Sequence, residues 1–328
     1  MGAEIAARAD GRGVRASSLF YGRVAFKLRV NLFICLSAGI IFRGASSPIG
    51  REDAKKKEGP LMAVVQSGGV DIVYEILNFD GPGVPIFFIA GLNGMRASCV
   101  KQAVPFSKER PVVVHDHRGT GESGQPPGVY SVENMAADVV AIMDDAGIEK
   151  AHLVGTSTGG ATIQVLCIDN PERVQSAAIC CSWPKSDHFF IRQFEMRKLV
   201  LLNLGTEALT RLASTNLNDP KYFTDHYEEM LEKEEVLIAK ASSPQIAAER
   251  IDCIIEHDQM DRLDRIRVPV IVIGAKNDAV CPPYYSEQLA EAIPGAELKL
   301  YEDGGHFFYL VYDDAFNADI REFIARHE

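Results

Sequence analysis

Short apolar segments alternate with segments of helical periodicity from Met62 to the end of the chain. The first two apolar segments, residues 63–66 and 70–76, are joined by Ser-Gly-Gly and predict a β-hairpin. Predicted helices, such as 133–145 and 285–292, separate the strands that follow. Continuous apolar strands linked by helices indicate a largely parallel sheet that is covered on both faces, with an antiparallel start. The six further predicted strands are residues 85–90, 111–115, 151–155, 174–180, 268–273 and 296–301.

One long stretch interrupts this alternation, because residues 183–265 contain no convincing strand. A crossover between parallel strands needs only one helix. This stretch predicts four, so we interpret it as a helical cap over the strand ends, between core segments 62–182 and 266–328. The predicted helices lie around residues 190–202, 207–212, 222–241 and 244–257, and they are separated by Pro220 and Pro244.

Residues 1–61 have a different composition from the rest of the chain and predict a leader or linker. Their apolar run at 30–42 is shorter than the roughly 20 residues that span a bilayer, so we expect no stable membrane span. Basic residues before it and small residues after it are typical of a signal peptide. An organelle-targeting leader and an upstream start before Met62 are the other interpretations, and we favour the last.

Charge and cysteine content narrow the possible function. Residues 1–60 carry eleven Lys and Arg against five Asp and Glu, or +6, so a total of −11 leaves −17 for the remainder. A body this acidic argues against nucleic-acid binding, which needs a basic surface. The seven cysteines lack metal-ligand spacing, and Cys180 and Cys181 are adjacent. We therefore expect buried, reduced thiols, a cytoplasmic location, and neither a metal nor a cofactor.

The segment around Ser157 carries the strongest chemical signal. It reads Gly155-Thr156-Ser157-Thr158-Gly159 between a predicted strand and a predicted helix. A Gly-x-Ser-x-Gly turn in that context is a nucleophile elbow, which exposes the serine hydroxyl above the sheet. The two glycines are required because a Cβ at either position would collide with a neighbouring element.

Two further residues follow predicted strands in the order that a serine nucleophile needs. Asp278 comes just after the strand at 268–273, and His306 follows the strand at 296–301. A histidine is needed to take the serine proton, and a carboxylate is needed to orient that histidine. The order Ser157, Asp278, His306 is that of the α/β-hydrolases. Asp303 is the competing carboxylate, and we expect Asp278 to be the partner.

An oxyanion hole would need two backbone N–H groups near Ser157. One is expected from Thr158, directly after the nucleophile. The other is expected from the loop that follows the third predicted strand, at Leu92.

From Met62 onward the chain resembles an α/β-hydrolase. The segment 116–123, Asp-His-Arg-Gly-Thr-Gly-Glu-Ser, resembles a structural turn of that family, in which Asp116 and Arg118 tie loops together. Residues 127–131 and 147–155 look like the branch with 3-oxoadipate enol-lactonases, small esterases and cofactor-free haloperoxidases. The cap entry, 183–197, is similar to aminoacrylate-hydrolase-like members. Ala90 departs from the commoner histidine before the oxyanion loop, and neither this change nor Thr156 removes a catalytic group.

These observations predict a serine hydrolase that cleaves a small carboxylic ester or lactone through an acyl-enzyme. A C–C bond hydrolase with the same triad, a cofactor-free haloperoxidase or perhydrolase, and a ligand receptor on the same fold are the alternatives. Aromatic residues at the cap entry suggest an apolar wall for a small-molecule substrate, and packing of the cap on the core is an equal alternative. These aromatic residues are Trp183, Phe189, Phe190 and Phe194.

Overall fold

The computed structural model describes residues 60–328. The predicted leader, apart from residues 60 and 61, lies outside these residues. All eight predicted strands are present in the described part of the chain. Their bounds are β1 Leu61–Ser67, β2 Val70–Leu77, β3 Ile86–Ile89, β4 Val112–His115, β5 Ala151–Thr156, β6 Val174–Cys180, β7 Val270–Ala275 and β8 Glu297–Tyr301.

The strands form a single sheet in the order β1-β2-β4-β3-β5-β6-β7-β8. β2 pairs antiparallel with both β1 and β4, while the other neighbouring strands are parallel. The prediction of an eight-stranded, mostly parallel sheet with an antiparallel start is therefore confirmed. Because β3 and β5 lie side by side, the loop after β3 meets the turn after β5 at the same edge of the sheet.

Helices cover both faces of the sheet, and successive strand residues contribute to opposite sides. Phe87 and Ile89 of β3 belong to one buried cluster, whereas Ile86 and Phe88 belong to another. This alternation is the period of two that a strand imposes. The helices are α1 Val100–Ser107, α2 Val132–Asp145, α3 Thr158–Asp169, α4 His188–Leu217, α5 Pro220–Asp225, α6 Tyr227–Ala239, α7 Pro244–Ile255, α8 Pro283–Ala292, α9 Phe308–Val311 and α10 Asp313–Ala325.

Helices α4 to α7 lie between β6 and β7 and are called the insertion below. The two ends of the insertion pair with each other, since Ser186 N–H donates to the His257 carbonyl at 3.1 Å and Gln259 N–H donates to the Pro184 carbonyl at 2.9 Å. This pairing closes the insertion at its base. Its apolar side chains join the cluster that contains Phe87, so the insertion and the sheet share one core.

Two details of the insertion differ from the sequence-based expectation. The helices predicted at 190–202 and 207–212 are consecutive parts of α4, which is interrupted at Gly205 with a φ of 87°. The helix predicted at 222–241 is divided at His226, where φ is −119° and ψ is 28°. Asp219 caps the first half by accepting from the N–H groups of Lys221 and Tyr222, so that half begins at Pro220. Within residues 60–328, no helix combines the length and the apolarity that a bilayer crossing requires.

Candidate active site

Ser157 occupies the turn between β5 and α3 in a backbone conformation that L-residues rarely adopt. Its φ is 54° and its ψ is −116°. Its N–H donates to the Cys180 carbonyl at 2.8 Å, which ties this turn to the end of β6. The residue is partly exposed. A strained and well-anchored backbone therefore presents an accessible hydroxyl.

The glycines around Ser157 allow backbones to approach more closely than a side chain would permit. A Cβ on Gly159 would lie 2.0 Å from the Ile89 carbonyl oxygen, and one on Gly155 would lie 2.4 Å from the Gly159 carbonyl oxygen. Real Cβ atoms do not approach backbone atoms so closely. Both glycines are thus required by the packing of α3 against β3 and β5, as the sequence predicts.

His306 and Asp278 form a buried pair at the ends of β8 and β7. The His306 Nδ1 atom lies 2.7 Å from Asp278 Oδ2. The other carboxylate oxygen of Asp278 accepts from the N–H groups of Val280 and Cys281, at 2.8 and 2.9 Å. These contacts hold the carboxylate in place, and they indicate that His306 carries a proton on Nδ1 and donates it in a hydrogen bond to Asp278. The Nε2 atom is left as the nitrogen that can accept a proton.

The loop that carries His306 is anchored on both sides. Gly305, with a φ of 67°, donates its N–H to Asn277 Oδ1 at 2.9 Å, and Phe307 N–H donates to the Leu217 carbonyl at 3.1 Å. Asp303 is exposed and accepts a hydrogen bond from the Tyr312 hydroxyl. Asp303 is therefore directed towards Tyr312, and Asp278 is the carboxylate in contact with His306. Within residues 60–328, the hydrogen bonds of His306 and Ser157 do not join these two side chains to each other.

The loop after β3 lies against Ser157. A Cβ built on Gly91 would be 3.4 Å from Ser157 Cβ and 3.9 Å from its Oγ. Leu92 follows directly and is partly exposed. Thr158 is fully buried at the first position of α3. Its N–H is one of those that a helix start leaves without an intrahelical acceptor. Gly91, the neighbour of Leu92, therefore lies against Ser157, and the oxyanion-hole roles of Leu92 and Thr158 stay a prediction.

Three side chains hold the carbonyl groups of that loop, and the sequence analysis named none of them as site residues. His117 Nε2 lies 2.9 Å from the Ala90 carbonyl oxygen, and Thr120 Oγ1 donates to the Gly94 carbonyl at 2.5 Å. The guanidinium of Arg250, on α7, donates to the Leu92 carbonyl. A sequence signal for Arg250 does exist, because it lies four residues from the buried Ile246 and Ile254 on one helix face.

The four aromatic residues at the entry to the insertion occupy different environments. Trp183, Phe190 and Phe194 are buried, whereas Phe189 is exposed. Trp183 stacks on Phe190 with ring centroids 4.3 Å apart, and Phe190 lies 4.5 Å from Phe194. The Trp183 Nε1–H donates to Ser186 Oγ at 3.1 Å. Three of the four thus pack between the insertion and the core, and their role in substrate binding stays a prediction.

Other polar groups lie near the Asp278 loop. Arg197 of α4 is buried with its guanidinium 4.6 Å from the Phe194 ring centroid, and its Nε has no partner among the described residues. Burial lowers the pKa of Arg197, an effect that Cys281 and Asp278 oppose. Burial raises the thiol pKa of Cys181 and Cys281 well above the ordinary value, so both stay protonated. Among residues 60–328, no three His, Cys, Asp or Glu side chains are arranged to hold a metal ion.

The site therefore combines an elbow serine, a histidine–carboxylate pair and a close loop on a mostly parallel sheet, as in hydrolytic enzymes of this architecture. Residues 84–312 match the family described as alpha/beta hydrolase fold. The chain belongs to this family and is an α/β-hydrolase enzyme. It is 36% identical, over 78% of its length and 96% of the relative's, to the protein of Azorhizobium caulinodans named "Putative carbamate hydrolase RutD".

Solved structures agree with this fold. The enol-lactonase from Burkholderia xenovorans LB400 superposes with a TM-score of 0.75 at 23% identity, over 80% of this chain and 100% of that one. Est816, described as an N-acyl homoserine lactone degrading enzyme, gives a TM-score of 0.71 at 28% identity, again over 80% and 100%. The expected resemblance to the α/β-hydrolase superfamily is confirmed. The activity named for each of these structures is that of the protein concerned.

Proposed function

We propose that this protein is a serine hydrolase that cleaves a small carboxylic ester or lactone through an acyl-enzyme intermediate. The observation that carries the proposal is the position of Ser157, at a φ of 54° between β5 and α3, on the same sheet edge as the Asp278–His306 pair. A family of hydrolytic enzymes that includes esterases and lactonases supports it.

In this proposal Ser157 Oγ attacks the substrate carbonyl while His306 Nε2 takes its proton. Asp278 holds the Nδ1 proton and compensates the charge of the imidazolium that forms. The protonated His306 then gives its proton to the leaving alkoxide. Water, deprotonated by His306, attacks the acyl-enzyme and releases the carboxylic acid. The serine and histidine side chains are not hydrogen-bonded here, and such contacts commonly tighten only when substrate binds.

The negative charge on the tetrahedral oxygen would be stabilised by the N–H groups of Leu92 and Thr158. The N-terminal end of α3 adds the positive end of its dipole at the same place. The closeness of Gly91 to the Ser157 side chain supports this assignment, because it brings the loop that carries Leu92 next to the nucleophile. We also propose that the insertion, over the predicted residues 183–265, covers this site and determines which substrates fit it.

A carbamate is the second candidate substrate, and the 36% identity to a relative named as a carbamate hydrolase favours it. The same attack on a carbamate carbonyl would expel a nitrogen or an oxygen leaving group. A substrate panel should therefore pair each p-nitrophenyl ester with a lactone and a carbamate of equal acyl size. The ratio of kcat/KM values ranks the two candidates.

The test of the mechanism is active-site labelling together with mutation of the nucleophile. A fluorophosphonate should label Ser157 stoichiometrically, and Ser157→Ala should lose labelling and lower kcat by about a thousandfold or more. Ser186→Ala is the matched control, because the Ser186 hydroxyl is bonded to Trp183 and to the Ile254 carbonyl and to neither Ser157 nor His306. Labelling at another serine, or unchanged hydrolysis by Ser157→Ala, would overturn the proposal. Diketone cleavage, halogenation activity, or binding without turnover would favour the alternatives.

A further inference from the structure

Arg250 is a buried cation without an acidic partner in the described part of the chain. Its side chain is only 1% exposed, and no carboxylate of residues 60–328 forms a salt bridge with it. Burial lowers its pKa to about 10, so the guanidinium remains charged at neutral pH. A buried charge is costly unless other groups satisfy its donors. Its hydrogen bonds therefore identify what it does for the fold.

Those hydrogen bonds go to the backbone of two separate loops. Arg250 Nη2 donates to the Leu92 carbonyl, in the loop after β3, and Nη1 donates to the Arg118 carbonyl, in the loop after β4. Arg250 itself lies on α7 of the insertion. Hydrogen bonds from a charged donor are stronger than those between neutral groups. One side chain thus links the insertion to both loops.

The Leu92 carbonyl is one of three alternate carbonyl groups that are held in the loop after β3. Those of Ala90 and Gly94 are held by His117 and Thr120, which both come from the turn after β4. Of the three side chains that hold these carbonyl groups, only Arg250 comes from the insertion. The Leu92 N–H belongs to the peptide group between Gly91 and Leu92, and the held carbonyl groups of Ala90 and Leu92 belong to the peptide groups on either side of it. Because peptide groups are planar, holding these two neighbours limits the rotation of the group that carries the Leu92 N–H.

We propose that Arg250 is a positioning residue that sets the orientation of the Leu92 N–H group and so completes the oxyanion hole only when the insertion is in place. This inference rests on the proposed function, in which Leu92 donates to the oxyanion. Arg250 acts through the loop and does not touch the substrate. Loss of Arg250 is then expected to weaken binding of the transition state more than binding of the substrate.

The test compares Arg250→Gln and Arg250→Lys with a control that breaks a different contact of the Arg250 helix, α7. Lys198→Met removes the pair between Lys198 and Asp252, which joins α4 to α7 at 2.6 Å without contacting the loop after β3. For each variant, kcat and KM are measured with a p-nitrophenyl ester, and the Ki is measured for a boronic acid that forms a tetrahedral adduct with the nucleophile. Thermal melting checks that each variant is folded.

Removing an oxyanion donor costs about 10²–10³ in kcat, and a misplaced donor should cost less. Arg250→Gln should therefore lower kcat by about 10- to 100-fold, with KM within about threefold. The affinity for the boronic acid should fall by a similar factor. Arg250→Lys should recover part of both, because an ammonium can donate to one of the two carbonyl groups. Lys198→Met should leave kcat and Ki near the wild-type values.

Unchanged kcat and boronic acid affinity in a folded Arg250→Gln protein would overturn the inference. So would a change confined to KM, or an equal loss of affinity in Lys198→Met. If Arg250→Gln does not fold, Arg250→Lys decides: reduced boronic acid affinity supports positioning, and wild-type affinity overturns it. Failure of the proposed function is seen separately, as wild-type protein that neither turns over esters nor labels at Ser157, and the inference then falls with it.

Discussion

The strand-end loops around Ser157 and the insertion are held in place by different kinds of interaction. Backbone hydrogen bonds connect the strand ends in series: Ser157 to Cys180, Cys181 to Ile273 and Lys276 to Tyr301, at 2.8, 2.8 and 2.9 Å. The insertion is attached to the core mainly through side chains, such as Gln193 to the Val280 carbonyl and Arg250 to the Leu92 carbonyl. It also exposes several large apolar residues, namely Phe189, Met196, Leu199, Leu202 and Leu204.

This contrast distinguishes the residues proposed for the catalytic step from the residues that attach the insertion. Backbone bonds do not depend on side-chain identity, so the positions of Ser157, Asp278 and His306 should survive many substitutions elsewhere. Side-chain attachments change with the sequence. Apart from Arg250, which contacts the loop after β3, we therefore expect substitutions in the insertion to alter stability and substrate choice, and substitutions at the strand ends to alter the catalytic step itself.

The largest effect is expected at the carboxylate that contacts His306. Asp278→Asn should keep the backbone hydrogen bonds but lower kcat by roughly a thousandfold to ten-thousandfold, because it disfavours the productive tautomer and leaves the imidazolium uncompensated. Asp303→Asn, three residues from His306, is the control and should behave as an ordinary surface change. The measurement is kcat of both purified variants, and the reverse ranking would contradict the assignment of the acid.

A large loss of stability is expected where the insertion meets the core. Phe190→Ala removes a buried ring that stacks on Trp183 and should lower the free energy of unfolding by about 3–5 kcal/mol. Phe189→Ala, its exposed neighbour on α4, should change that free energy by less than about 0.5 kcal/mol. Urea unfolding of both variants gives the two values. Equal losses of unfolding free energy in the two variants would mean that the buried Phe190 ring does not hold the insertion on the core.

The third prediction compares a glycine from each region. Gly159→Ala places a Cβ against the Ile89 carbonyl, which belongs to a central strand and cannot move away, so a loss of about 3 kcal/mol is expected. Gly205→Ala in α4 meets no atom within 4 Å and is strained only by its backbone conformation, with φ at 87° and ψ at 178°, which should cost about 1–3 kcal/mol. Thermal unfolding ranks the two variants. A larger loss for Gly205→Ala would show that backbone strain at Gly205 outweighs the steric clash at Gly159.

The smallest effect is a pH dependence that involves both regions. Burial lowers the pKa of His117 to about 3 and that of His257, at the end of the insertion, to about 4. The unfolded histidines titrate near 6.5. Between these values the unfolded chain binds more protons, so the free energy of unfolding should fall as the pH drops below about 6.5. Each such histidine adds at most about 1.4 kcal/mol per pH unit.

His257→Gln tests the contribution from the insertion. Urea unfolding at pH 7 and pH 5 should show a smaller difference for this variant than for the wild type. His226→Gln is the control, because His226 is exposed and should leave the difference unchanged. A wild-type slope in His257→Gln would mean that this histidine is not buried in its neutral form.

The parts of the molecule that could be predicted from the sequence depend on local patterns. The strands could be recognised because a buried strand is a continuous or alternating run of apolar residues. The turn at Ser157 could be recognised because an elbow excludes side chains at its glycine positions. Asp278 and His306 could be named for a related reason. Parallel strands bring the segments that follow them to one edge, so position after a strand is enough to suggest proximity.

The features that the sequence did not reveal depend on contacts between distant segments. Arg250 lies 158 residues from the Leu92 carbonyl that it holds. The pairing of 184–186 with 257–259 closes the insertion without any local signal. The start at Pro220 follows from the cap at Asp219, whereas the break at His226 has no signal in the apolar periodicity. For Trp183, periodicity could not separate a substrate wall from packing, because both place an aromatic ring at the same junction.

The position of Trp183 gives the protein a built-in optical probe. It is the only tryptophan of the chain, and its buried ring lies at the base of the insertion against Phe190 and edge-on to His257. All tryptophan emission therefore originates at the seam between the two regions. A shift of that emission to longer wavelength would report that water has reached this seam, without a label and without averaging over other sites. Stopped-flow fluorescence could thus time the attachment of the insertion relative to folding of the sheet.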